Sequence, residues 1–380
     1  MHFYKKSLIV QGLFLFTVLF LECGTGIFFN RVEAGTAYSQ IQKAAEQGDA
    51  EAQRRLGWMY YKGAHGVSKD FTQAAKWFQK AADQGDADAQ YFLGNMYKKG
   101  FGVNKDLAKA AELYQKAADQ GDADAQVSLG YMYKKGFGVN KDLAKAAELY
   151  QKAAEQGDAD AQVILGSMYE KGNGVNKDLG KAAELYQKAA DQGDADAQIF
   201  LGSMYESGIG VNKDLAKAAE LYQKAAEQGD ADTQCYLGLM YERGNGVNKD
   251  LAQSMRWFQM AADQGHADAQ YFLGTMYDFG EGVNRDLLKA AELYQKAANQ
   301  GHAEAQHAIA TVKEEIAYTK ANKPNLFNTV VPIVTESLEA RNKEIEKSNK
   351  EMAEKLELER AIENAVEDAI RRDRLLYPQR

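Results

Sequence analysis

"NKDLAKAAELYQKAA" occupies Asn104–Ala118, recurs letter for letter at Asn140–Ala154 and Asn212–Ala226, and returns at Asn176–Ala190 with Gly180 as its single change. An active site is one constellation of unlike residues, so nothing in catalysis calls for such copying. A body built by stacking does call for it, because every unit must offer the same two surfaces to its neighbours. The phrase "QGDADAQ" sets the period: Gly85, Gly121, Gly157, Gly193, Gly229, Gly265 and Gly301 lie 36 residues apart, and Gly48 precedes Gly85 by 37. The extra residue falls in "KGAHGV", which confines the insertion to a loop.

Each repeat holds two helical patterns divided by a glycine-rich turn. In the copy that starts at Asp86, that residue is placed to cap a first helix, here called helix A, with Ala89, Leu93, Met96 and Tyr97 following at helical spacing. Gly100 and Gly102 then permit a turn, and Asp106 is placed to cap helix B. Helix B gathers Leu107, Ala110, Ala111, Tyr114, Ala117 and Ala118 on one face, with Glu112 and Lys116 paired on the other. One local rule is broken in every copy: Gly57, Gly94, Gly130, Gly166, Gly202, Gly238 and Gly274 sit inside helix A, where glycine costs about 1 kcal/mol relative to alanine. A penalty so faithfully repeated predicts close approach of helix B at these positions, with Gly166 beneath it and Lys145 in solvent. Tyr97, Tyr114 and their equivalents then supply core surface, not a cofactor box.

The stretch "ADAQYFLGNMYKKGFGVNKDLAKAAELYQKAA", Ala87–Ala118, resembles the Sel-one-like repeat, a relative of the tetratricopeptide repeat. The small-x-small-Gln, Leu-Gly-x-Met-Tyr, Gly-x-Gly-Val and Lys-Asp elements match together. The resemblance covers seven repeats over residues 49–300 and implies an all-α fold: a right-handed alpha-alpha solenoid, or superhelix, of helix-turn-helix repeats followed by a C-terminal helical segment. It also implies a scaffold for protein partners that bind the concave, helix A side. Cysteine-rich secreted relatives carry a disulfide in each repeat. This chain lacks those cysteines, so nothing particular to that branch carries over.

The flanks read as caps and attachments. "QKAAEQG" ends a half-repeat over residues 35–48 that supplies a helix B without a helix A. Residues 301–321 begin another helix A, but Ala310 replaces the packing glycine and no Gly-x-Gly-Val turn follows, as suits a terminal cap. A linker follows at 322–332, holding Pro324 and Pro332. Residues 333–380 form a charged amphipathic helix and tail, where Leu338, Ile345 and Met352 are seven apart but Arg341, Ser348 and Lys355 occupy the complementary positions. That pattern does not make a coiled coil, and the helix docks either on the last repeat or on another molecule.

Residues 1–34 have the form of a signal peptide: Lys5 and Lys6, an apolar run over Leu8–Leu21, then Val32, Glu33 and Ala34 before a cleavage point. The alternative is an uncleaved membrane anchor, because Ile27–Phe29 extend the apolar character. The expected location is the periplasm or the cell exterior of a bacterium, or the inner membrane on the alternative. Cleavage also removes Cys23 and leaves Cys235 alone.

Chemistry is hard to find in this sequence. The net charge of -8 and the lack of a basic run argue against nucleic acid. His65 lies in the loop insertion, His266 and His302 replace capping aspartates, and His302 and His307 are five apart, off a shared helix face. No catalytic, cofactor or metal site is predicted, and the protein reads as a non-enzymatic scaffold for a protein or an extended peptide. The rivals are an enzyme or binding protein acting on cell-wall material and a membrane-tethered regulatory scaffold.

What varies between copies points to the binding face. Counting from the capping residue of each repeat, positions 4, 8, 11 and 12 form the buried face of helix A, and position 10 points away. Position 10 reads Trp58, Asn95, Tyr131, Ser167, Ser203, Leu239 and Thr275, while helix B is nearly copied. Position 13 reads Tyr61, Lys98, Lys134, Glu170, Glu206, Glu242 and Asp278, and at position 14 Lys99 and Lys135 reinforce the basic end. A surface that selects a partner must differ from place to place, so these residues are the expected partner contacts, basic early and acidic later. The mature chain is expected to begin at Gly35, and an intact-mass measurement on the exported protein checks this, retention of residues 1–34 being the contrary result.

Overall fold

The computed structural model describes residues 38–64 and 66–322, so the leader, His65, the remainder of the linker and the C-terminal helix lie outside the described residues. Residues 38–46 form α1. Helices then come in pairs: α2 (Ala50–Lys62) with α3 (Phe71–Asp83), α4 (Ala87–Lys99) with α5 (Leu107–Asp119), α6 (Ala123–Lys135) with α7 (Leu143–Glu155), and α8 (Ala159–Lys171) with α9 (Leu179–Asp191). These belong to a first compact unit that ends at Gln192. A second unit, from Gly193, holds α10 (Ala195–Ser207) with α11 (Leu215–Glu227), α12 (Ala231–Arg243) with α13 (Leu251–Asp263), α14 (Ala267–Phe279) with α15 (Leu287–Asn299), and the closing α16 (Ala303–Asn322). No strand occurs among the described residues, and each unit is a right-handed solenoid of helix-turn-helix pairs.

Capping chemistry places every boundary. Asp86 accepts the Ala89 N–H at 2.7 Å to open α4, and Asp106 accepts the Lys109 N–H at 3.0 Å to open α5. Gly100 closes α4 in the left-handed conformation at φ 76°, its N–H donating to the Met96 carbonyl at 2.8 Å. Where histidine replaces the capping aspartate, Nδ1 takes over as acceptor: His266 receives the Ala269 N–H and His302 the Ala305 N–H, both at 3.2 Å. The proton of His266 therefore sits on Nε2, 2.9 Å from Asp232 of the preceding repeat.

The helical glycines meet the face of a helix B ring. A Cβ at Gly166 would stand 2.8 Å from Tyr186 Cε1, and one at Gly238 would stand 2.6 Å from Phe258. The second glycine of each turn has a role beyond turning. Gly138, at φ 69°, lies so close to the start of α7's predecessor α5 that a Cβ would fall 2.2 Å from the Leu107 carbonyl oxygen. That contact belongs to the junction between successive repeats, so the glycine serves packing as well as the turn.

Position 5 is the second departure. Sequence periodicity left it off the buried face, yet Gln126 is only 3% exposed. Its Nε2 donates to the Ala118 carbonyl of the preceding helix B at 3.3 Å, and its Oε1 accepts from Gln156, at the end of its own repeat's helix B, at 2.9 Å. The same pair of bonds recurs at Gln90, Gln162, Gln234 and Gln270 (partners Ala82 and Gln120, Ala154 and Gln192, Ala226 and Gln264, Ala262 and Gln300). Position 12, expected in the core, is buried at Tyr277 but half-buried in the other repeats, and a helix B lysine lies over its ring: Lys109 is 4.6 Å from the Tyr97 centroid and Lys145 is 5.3 Å from that of Tyr133. Lys145 is thus not simply solvated.

The C-terminal cap is pinned by charge as well as packing. Ala305, Ile309 and Val312 of α16 are buried, while Ala310 is exposed, with no helix B ring upon it. Arg285 forks the carboxylate of Glu315 with two bonds of 2.8 Å. Replacing Gly166 with leucine is expected to cost roughly 1–3 kcal/mol by overpacking against Tyr186, whereas Lys152→Ala, on the exposed side of α7, should stay within about 0.5 kcal/mol. Thermal melts of the two variants check this, and equal midpoints would contradict the glycine–ring packing.

Candidate functional site

The varied stripe of helix A stands against the tyrosine or phenylalanine that helix B lays on the glycine, at position 29 of each repeat. Where that residue is tyrosine, its hydroxyl is buried and needs an acceptor. Tyr114 donates to Asn95 Oδ1 at 2.8 Å, from position 10 of its own repeat. Tyr186 donates to Glu170 and Tyr222 to Glu206, each at 3.0 Å, and Tyr294 to Asp278 at 3.4 Å, all from position 13. Ser167 and Ser203 also lie within hydrogen-bonding reach of Tyr186 and Tyr222. Where helix B has Phe78 or Phe258 instead, position 10 is apolar, Trp58 or Leu239. The stripe is therefore partly an internal fitting, a link the sequence carried in the matched letters of positions 10, 13 and 29.

The third repeat is the exception. Tyr150 has 0% exposure, and its hydroxyl has no hydrogen-bond partner among the described residues. Positions 10 and 13 of its repeat are Tyr131 and Lys134, neither of them an accepting carboxylate or amide. Burial raises the Tyr150 pKa, and the neighbouring Tyr131 raises it further.

The expected contact residues of the first unit gather around this place. Tyr131 is 38% exposed, with Lys98 Nζ 5.5 Å and Lys135 Nζ 5.9 Å from its ring centroid and Phe137 packed on it edge-on. Lys98 has its pKa lowered by burial and by Lys99; Lys134 has its own lowered by burial, then by Lys135 and Lys171. Among the described residues, none of these five lysines makes an ion pair. Trp58 and Tyr61 stand apart from this cluster, half-buried on the first repeat, Trp58 beneath Lys62 and Tyr61 against Phe71.

In the second unit the stripe is more engaged with its own fold. Glu206 accepts from Tyr222 and also from Tyr236, an exposed position 7 residue the stripe did not include. Asp278 is only 9% exposed, held by Arg285 and Tyr294, and so is not an open groove charge. Thr275 turns its hydroxyl back to the Phe272 carbonyl at 2.6 Å, and Leu239 packs on the core. Helix B of the sixth repeat carries Phe258, which offers no hydroxyl, and Glu242 makes no such bond among the described residues.

Nucleophilic chemistry has no support here: burial pushes the Cys235 thiol up to about 12, far from a thiolate at neutral pH. Among the described residues no group of three or more histidine, cysteine or acidic side chains could hold a metal ion, and no helix is long and apolar enough to cross a membrane.

The Sel1 repeat profile matches seven successive segments, residues 50–86, 87–122, 123–158, 159–194, 195–230, 231–266 and 267–302. Among solved structures, a protective antigen present in uropathogenic Escherichia coli strains and displaying an SLR fold is 41% identical, with a TM-score of 0.70, covering 72% of this chain. The chain spans 59% of the length of that antigen. A Sel1 repeat protein from Oxalobacter formigenes is 38% identical with a TM-score of 0.59, covering 73% of this chain and 80% of its own. No curated protein matches the chain.

The orphaned hydroxyl and its satisfied equivalents predict opposite responses to one substitution. Tyr150→Phe should stabilise the protein by about 1 kcal/mol, because it deletes an unpaired buried donor, whereas Tyr186→Phe should destabilise it by roughly 0.5–1.5 kcal/mol, because it deletes a paired one. Thermal melts of both variants check the signs.

Proposed function

Given that this chain belongs to the Sel1 repeat family, we propose that its helix A face is a docking surface for an extended, charged segment of a partner protein. The protein is a non-catalytic repeat scaffold that mediates protein–protein contacts. The observation that carries the docking surface is the unpaired cluster of Lys98, Lys99, Lys134, Lys135 and Lys171 on helix A of the first unit. Like charges held together without counter-charge cost folding free energy, and a bound acidic segment removes that cost. In the second unit the helix A stripe offers Glu206 and Glu242, which suit a basic part of the partner.

The compartment is the periplasm or the cell exterior. Support comes from the leader-like start of the sequence and from likeness to an Escherichia coli protein described as a protective antigen. The lysine cluster suits a short acidic peptide better than nucleic acid, which binds along a longer track of cations and is repelled by a chain of net charge -8.

Exposed charges of this kind act on encounter and orientation. The double variant Lys98→Glu/Lys134→Glu should slow association with a partner captured by crosslinking and flatten its salt dependence. Lys116→Glu/Lys152→Glu changes the net charge equally on helix B and should have a much smaller effect. Stopped-flow association at several salt concentrations reads the difference, and equal loss in both variants would leave net charge, not the helix A face, as the cause.

A further inference from the structure

The third repeat lacks an acceptor that its neighbours in the fold possess. In the fourth, fifth and seventh repeats the position 29 tyrosine donates its hydroxyl hydrogen bond to a carboxylate at position 13, and in the second to an amide oxygen at position 10. In the third, a lysine stands where the carboxylate belongs, and the hydroxyl of Tyr150 is buried with no acceptor among the described residues. A buried donor left unpaired is costly and is rarely retained without reason. The same substitution that removes the acceptor also adds a cation, one of five lysines without an acidic counter-charge among the described residues.

We propose that the third repeat is an incomplete carboxylate site that a partner completes: an aspartate or glutamate side chain from an acidic segment enters beside Lys98 and Lys134 and accepts the Tyr150 hydroxyl. The inference rests on the docking reading above and assigns its anchor point. The incoming carboxylate takes the place that Glu170 holds in the next repeat, 3.0 Å from its tyrosine, so the geometry of the bond is already realised within this chain. Tyr131, whose ring lies beneath Lys98 and Lys135, is exposed at the rim and on this proposal turns outward as the carboxylate arrives, leaving the two lysines to pair with the acid instead of with its ring. A lysine pair selects any acid; the hydroxyl donor beneath it selects a carboxylate that reaches the floor of the stripe. The two contributions are separable, because charge is read by salt dependence and the hydroxyl is not.

The test uses the full chain and a fluorescent hexaglutamate peptide with blocked ends, so that only side-chain carboxylates are offered. Wild-type protein should bind it with an affinity that falls steeply with salt, while hexaglutamine does not bind. Tyr150→Phe is a residue this fold already accepts, since Phe78 and Phe258 occupy the same position. It should weaken binding about tenfold at each salt concentration, leaving the salt slope unchanged. Lys134→Glu supplies an internal acceptor and should abolish binding while raising the melting temperature. Wild-type affinity in Tyr150→Phe would overturn the anchor while leaving the lysine surface standing, provided that Lys98→Glu still weakens binding. No binding of hexaglutamate by the wild type would overturn the carboxylate site outright. Salt-sensitive self-association that disappears in Lys134→Glu would also overturn it, by identifying a second copy of this chain as the occupant.

Discussion

Within each unit, a glutamine amide buried where three helices meet holds a repeat to the one before it. Its N–H bonds a carbonyl at the end of the previous helix B, and its oxygen receives the amide of the glutamine that ends its own helix B. Both requirements are directional, so a helix A cannot rotate or slide without breaking one of them. The alanines around it, at or near zero exposure, let the backbones come near enough for those bonds to form. With helix A fixed in this way, its glycine faces the flat of a helix B ring, and positions 10 and 13 come to stand over the end of that ring. The placement of positions 10 and 13 is thus set by a polar contact on another face of the same helix.

This arrangement divides the variation of helix A into two kinds. At Asn95, Glu170, Glu206 and Asp278 the residue answers to a tyrosine hydroxyl inside the same protein. At Trp58 and Leu239 it answers to the absence of one, since helix B there carries phenylalanine. Neither kind requires a partner for its explanation. Lys98, Lys134 and Tyr131 have no such internal counterpart, and the two lysines are held down in pKa by burial and by their lysine neighbours, Lys99 for the one and Lys135 and Lys171 for the other. Lys98, Lys134 and Tyr131 all lie on the second and third repeats.

Much of the fold was legible because the repeat period, the caps and the misplaced helical glycines are each local signals with a single physical cause. Gln126 and its equivalents were not, because a polar residue beside the apolar stripe of a helix reads as surface until a neighbouring carbonyl is known to lie above it. Gly138 likewise reads as a turn residue, and its approach to Leu107 becomes visible only when two repeats are stacked. The charges of position 13 were read by sign alone. Their hydrogen bonds depend on a residue sixteen positions away, as Tyr186 and Glu170 show, and a comparison of those columns would have separated Glu170 and Asp278 from the free lysines.

The glutamine junction also bears on inheritance. Because the same bonds recur at successive junctions, and near-identical residues make them, a gene that misaligns with itself during recombination gains or loses a whole number of codons and still encodes matching joints. Such an exchange does not preserve the order of the letters on helix A. Array length and the pattern of side chains on helix A can then change together in one genetic event, while each new joint keeps the glutamine bonds on which packing depends.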